Sequence, residues 1–112
     1  MKFEVKKVKI VVFTPEEIIS ELRDAVCNEG AGVIGNYSYC TSATKAQGTY
    51  IPNENAKPYE GIHNTLEIVD EMRLEVLCDV ENVKSVIKVI RKIHPYEEPC
   101  IDIVPLLEES DF

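Results

Sequence analysis

Between Lys6 and Phe13 apolar and polar positions alternate, with Val8, Ile10 and Val12 on one side and Lys7, Lys9, Val11 and Phe13 on the other. A period of two predicts a strand with one fully apolar face and a second face apolar only near its end. The period then changes. In "TPEE", Thr14 reads as an N-cap, Pro15 as the first helical residue and Glu17 as the acid of a capping box. Ile18, Ile19, Leu22, Ala25 and Val26 recur at helical spacing, and the helix is expected to end near Glu29 with Gly30 as its C-cap. Extended segments are expected from Val33 to about Thr41 and from Gly48 to Ile51, where β-branched and aromatic residues gather. From Pro52 to Gly61 the chain reads as loop, with two prolines, two asparagines and a glycine.

The second half repeats the scheme. Glu71 to Cys78 alternates strictly, Met72, Leu74, Val76 and Cys78 against Glu71, Arg73, Glu75 and Leu77. Asp79 then reads as the cap of a helix whose apolar stripe is Val83, Val86, Ile87 and Ile90. "HPYEEP" ends it, because a residue before proline is driven out of helical dihedrals. Cys100 to Val104 forms a last strand with Ile101 and Ile103 inward. The order β-α-β-β-α-β predicts an α+β protein: a ferredoxin-like sandwich, with a four-stranded antiparallel sheet and two helices on one face.

The opposite face of that sheet carries Val11, Phe13, Leu77 and Val104 among Arg73, Glu75 and Asp102. A half-apolar open face of this kind meets another subunit, so a homo-oligomer is expected. Arg73 and Glu75 of neighbouring subunits would then pair.

A length of 112 residues fits a single domain, with a core over about 6–106 and an acidic tail over 107–112. The net charge of -8 argues against nucleic acid as a partner. No apolar run approaches the ~20 residues of a membrane span, and the N-terminus lacks a signal-peptide pattern. The four cysteines, Cys27, Cys40, Cys78 and Cys100, form no C-x-x-C pair, which points away from a zinc ribbon and toward free thiols in the cytoplasm.

"EGAGVIGNYSYC" contains a literal G-x-G-x-x-G. A dinucleotide site needs a strand before those glycines and a helix after them. The order here is reversed, and a helix C-terminus repels phosphate. Gly30 and Gly32 therefore read as a helix cap and a sharp turn toward the sheet, leaving Gly35-Asn36-Tyr37 without a full explanation. His94 and Glu97 of "HPYEEP" could be metal ligands or an acid–base pair, but a helix-terminating turn explains them better. His63 reads as an exposed loop histidine, and Cys40 as a small half-buried residue without a histidine near it in sequence.

The motifs "GAGVIGNYSYC", "QGTYIP", "KPYEG", "EMRLEV" and "HPYEEP" stand in an order and spacing that resembles the inserted domain of the Nif-three-like (NGG-one-interacting-factor-three-like) family. The resemblance runs from about Phe13 to Leu106. "HPYEEP" and the second β-α-β half also resemble CutA, whose trimeric fold is related to the PII signalling proteins. These resemblances imply the same ferredoxin-like fold, and a trimer over a dimer. The dinuclear metal ligands of full-length Nif-three-like proteins lie in the two halves flanking the insert, which this sequence does not include. Neither that metal site nor a hydrolase activity carries over, and the chain looks like a stand-alone insert. By analogy with PII-like trimers, a ligand or metal pocket between subunits is expected to contain Asn36, Tyr37, Tyr59, His94, Tyr96 and Glu97. The expected function is a small binding or regulatory module without catalysis or cofactor. The alternatives are a CutA-like copper or zinc binder, and an enzyme using Cys40 or His94.

Overall fold

The N-terminal alternation folds as strand β1 (Lys7–Thr14), which buries Val8, Ile10 and Val12 against two helices. A computed structural model describes residues 2–112. After β1 come helix α1 (Ile19–Asn28), strands β2 (Thr41–Tyr50) and β3 (Glu67–Asp79), helix α2 (Val83–Ile93) and strand β4 (Ile101–Leu106). All pairings are antiparallel in the order β2-β3-β1-β4, so the ferredoxin-like sandwich read from the sequence is the fold. Leu22 and Val26 of α1 and Val86 and Ile90 of α2 close over Ile10, Val12, Leu74 and Val76. Truncating such a fully buried leucine or isoleucine to alanine costs about 2–5 kcal/mol. Pro105 is tolerated in β4 because that strand lies at the sheet edge.

Neither helix starts as expected. Thr14 is still the last residue of β1, paired with Met72, and its hydroxyl donates to the Pro15 carbonyl at 3.2 Å. Pairing keeps Thr14 extended, so a 3-10 turn over Glu16–Ile18 leads into α1 with no side-chain cap. Asp79 is held by its pairing with Lys7 in the same way, and a 3-10 turn over Val80–Asn82 leads into α2. The capping box stands instead in the C-terminal tail, between Glu108 and Asp111.

The middle of the chain also differs. Val33 to Cys40 is no strand. Ile34 and Tyr37 exchange both backbone hydrogen bonds, at 3.0 and 2.9 Å, around a two-residue turn with Gly35 at φ +57°. β2 instead runs unbroken over Thr41–Tyr50, a segment without apolar alternation because it is an edge strand that the helices scarcely cover. β3 starts four residues before the strict alternation does, at Glu67.

At the end of α1 the Ala31 amide donates to the Val26 carbonyl and the Gly30 amide to the Cys27 carbonyl, the paired bonds of a Schellman cap with Gly30 at φ +97°. Gly32, at φ +80°, then docks on β3 by donating its amide to the Leu77 carbonyl at 2.7 Å. A Cβ there would lie 3.2 Å from the Cys40 backbone nitrogen and 3.3 Å from Val76, whereas a Cβ on Gly35 would meet open space. Gly32→Ala is therefore expected to lower unfolding free energy by roughly 2–4 kcal/mol, and Gly35→Ala by about 1 kcal/mol. Urea unfolding of the two variants side by side checks the order; equal losses would show that contact with β3 does not set the requirement.

Candidate functional site

β3 is 13 residues long and β1 only 8. β1 covers β3 from Asp79 back to Met72, while β2 continues along it from Val76 to Glu67. Past Met72 the pair Ala46–Tyr50 and Glu67–Glu71 outruns β1 as a two-stranded arm of about 16 Å. Beside the arm, beyond the end of β1, lies a notch that the "HPYEEP" turn occupies. His94 is 6% exposed and sits against the end of β1. Its Nε2–H donates to the Phe13 carbonyl at 2.7 Å, and its Nδ1 accepts the Tyr96 amide at 3.1 Å. The acceptor role of Nδ1 fixes the neutral, Nε2-protonated tautomer. Burial lowers the imidazole pKa below its ordinary value, outweighing the Phe13 hydrogen bond and the Glu71 charge.

Tyr96 packs on His94 with ring centroids 4.7 Å apart and donates its hydroxyl to Glu71 Oε2 at 3.1 Å. Burial, then the Glu71 carboxylate, push its phenol well above the ordinary range. The loop over 51–66 closes the other side. The Tyr50 hydroxyl at the end of β2 donates to its Glu60 carbonyl at 2.6 Å, and inside the loop a ring nitrogen of His63 bonds the Ala56 carbonyl at 2.8 Å. Two contacts tie this loop to the turn: the Lys57 amide donates to Glu97 Oε1 at 3.0 Å, and the Tyr59 and Tyr96 rings lie 6.0 Å apart.

Arm, turn and loop enclose a cleft of about 570 Å³. Strand register puts Phe13, Gly48, Tyr50 and Glu71 on the sheet face that the helices leave open, and these residues line it. Tyr59 and Tyr96 wall it, with Glu97 and Glu98 beside them. Gly48 has a particular part: a Cβ there would collide with Glu71 Oε1, so its absence lets the carboxylate lie across β2.

Of the residues singled out in the sequence, Tyr59, Tyr96 and Glu97 line this cleft and His94 stands behind Tyr96. Asn36 and Tyr37 are not brought to it. Their turn lies between Gly32, bonded to Leu77, and Thr41, opposite Val76, about 20 Å along β3 from Glu71. Tyr37 is 76% exposed there. Glu71, which the sequence shows only as one side of a strand's alternation, is the carboxylate the cleft is built around. Its alternation phase gave its face, but only the register with Gly48 reveals its place. Arg73 pairs with Glu75 of its own chain at 2.7 Å, and with the Arg73 hydrogen bond as first cause the Glu75 carboxyl lies below the usual carboxylate range. Cys40 and His94 do not meet: Cys40 bonds Gly32, His94 bonds Phe13.

No profile of a known protein family matches the chain. It is 41% identical over 103 residues to a GTP cyclohydrolase 1 type 2 homolog of Halalkalibacterium halodurans, covering 92% of this chain and 28% of that protein. With the protein of the same name from Bacillus subtilis it shares 41% identity over 98 residues, 88% of this chain and 26% of the relative. The chain thus spans little more than a quarter of the length of these relatives. The crystal structure of a Bacillus cereus protein related to NIF3 superposes with a TM-score of 0.82 at 36% identity, over 96% of this chain and 27% of that one. The resemblance to a segment of the Nif-three-like proteins is thereby borne out. CutA from Archaeoglobus fulgidus, a periplasmic divalent cation tolerance protein, shares the fold with a TM-score of 0.69 at 15% identity, over 91% of this chain and 85% of that one.

The protonation of His94 makes a prediction. Its folded pKa is depressed, so below about pH 6.5 the unfolded chain binds the proton more readily than the folded one. The contribution to stability is complete above that pH and is lost as pH falls from there through the folded value. His94→Gln keeps a donor for the Phe13 carbonyl but does not titrate. Urea midpoints measured from about pH 7.5 to pH 5 should fall more steeply for the native chain than for the variant; parallel curves would refute the assignment.

Proposed function

We propose that the chain is a non-catalytic binding module that self-associates and holds a small ligand in the cleft between the 51–66 loop and the "HPYEEP" turn. The observation that carries this reading is that three separate segments converge on one cleft and are braced there by hydrogen bonds before any ligand arrives. A volume of about 570 Å³ with aromatic walls and few polar groups suits a small organic molecule. The copper or zinc reading has less behind it, because backbone groups engage both ring nitrogens of His94, the histidine it relied on.

Self-association is supported by apolar residues in excess of what a lone chain covers. Ile62, Leu66 and Ile68 on and beside the arm are 69%, 56% and 60% exposed, and Val104 on the open face is 44% exposed. The CutA-like topology favours a trimer, and no helix among the described residues is long and apolar enough to cross a membrane. A cytoplasmic location completes the proposal. Sedimentation velocity at micromolar concentration is expected to give a species larger than the monomer. Ile68→Glu should dissociate it while leaving the urea midpoint nearly unchanged, since Ile68 is outside the core. A monomer across the whole range would remove self-association from the reading.

A further inference from the structure

The residues lining the cleft include three carboxylates, Glu71, Glu97 and Glu98, and not one lysine, arginine or histidine. Four aromatic rings, Phe13, Tyr50, Tyr59 and Tyr96, also line it. Building on the binding-module reading, we propose that this cleft takes an organic cation: an ammonium, amidinium or guanidinium group carried on a flat apolar body.

Three features of the cavity converge on that chemistry. First, Glu71 is held in place. Tyr96 donates to its Oε2, and its Oε1 extends over Gly48, where a side chain would displace it. A carboxylate oriented this way offers a fixed acceptor to a charged N–H donor, and such bonds are about twice as strong as neutral ones. Second, the Tyr59 and Tyr96 rings touch one another at 6.0 Å, so a ligand lies against their cleft sides and not between them. The negative faces of aromatic rings attract a cation within about 6 Å, most strongly where water is excluded. Third, the lining offers no positive group to a phosphate or carboxylate, and the chain's net charge of -8 adds to the repulsion of anions. A bare metal ion is a poorer fit. Among the described residues no group of three histidine, cysteine, aspartate or glutamate side chains converges closely enough to hold one.

The test titrates the full chain with benzamidine, benzyltrimethylammonium, benzyl alcohol and sodium benzoate at low ionic strength, following backbone amide resonances by NMR. Both cations should shift Gly48, Tyr59 and Tyr96 and saturate. Benzyl alcohol should bind about tenfold more weakly, and benzoate should leave these resonances unmoved. Raising the salt should weaken the cations and not the alcohol. Glu71→Gln, which keeps an acceptor for Tyr96, should weaken benzamidine about tenfold. Gly48→Ala should do the same by displacing the Glu71 carboxylate, with the urea midpoint of both variants as a control for folding. Benzoate binding as tightly as benzamidine, or benzamidine binding unchanged in both variants, would overturn the cation assignment. Binding of the neutral or anionic probe in the same cleft would leave the binding-module reading standing. If none of the four probes reached the cleft, the cation and small-ligand readings would both fail; a response of Tyr59 and Tyr96 to protein concentration would then make a second copy its occupant and leave only self-association standing.

Discussion

Everything particular to this molecule follows from a mismatch between two neighbouring strands. β3 is five residues longer than β1, which leaves the end of β3 with a partner on one side and none on the other. Exposed backbone and apolar surface beside an unpaired strand need cover, and the chain supplies it locally. The turn after α2 is placed beside that end because α2 runs back over the sheet and must return to β4 at its edge. His94 then joins the turn to the end of β1, and Tyr96 joins it to Glu71. A helix-terminating turn thus becomes one wall of a cavity without any residue being added for the purpose.

The parts of the fold legible in the sequence are those where burial imposes a period. Val8, Ile10 and Val12, Leu22 and Val26 of α1, Val86 and Ile90 of α2, and Leu74, Val76 and Cys78 all stand in the core where alternation or helical spacing put them. Only the end of β2, Gly48 to Tyr50, is legible, because an edge strand beyond the helices has no apolar face to reveal the rest. Helix starts were misread for a related reason: Thr14 and Asp79 have the chemistry of N-caps, but pairing in the sheet fixes their backbones first. Of the site, the likeness to PII-like trimers and the gathering of aromatic and polar residues in irregular segments pointed to Tyr59, Tyr96, His94 and Glu97, and also to Asn36 and Tyr37, which lie elsewhere on this chain. Gly48 and Glu71 could not be found that way, because their relation exists only once β2 and β3 are in register.

The glycine-rich segment shows how one motif can hold several unrelated requirements. Gly30 closes a helix, Gly32 lets the backbone touch β3, and Gly35 opens a two-residue turn. Each needs a left-handed backbone, and the three fall at the spacing of a nucleotide fingerprint without sharing a function. Asn36 and Tyr37 are the far side of that turn, which accounts for their conformation while leaving the Tyr37 ring in solvent.

The arm gives the two halves of the proposed function a common element. On one face of it, Gly48, Tyr50 and Glu71 point into the cleft. On the other, Ile68 stands exposed, with Leu66 just before the strand. Two strands with no third partner are marginal in water, so the arm needs support from at least one of its faces. Within the chain that support comes from the cleft side, where the Tyr50 hydroxyl bonds the 51–66 loop and Tyr96 bonds Glu71. A ligand in the cleft and a second copy against Ile68 would brace the same pair of strands from opposite sides. On the proposed reading, binding and assembly would be linked through the arm itself, because whatever orders one of its faces lowers the entropy cost of occupying the other.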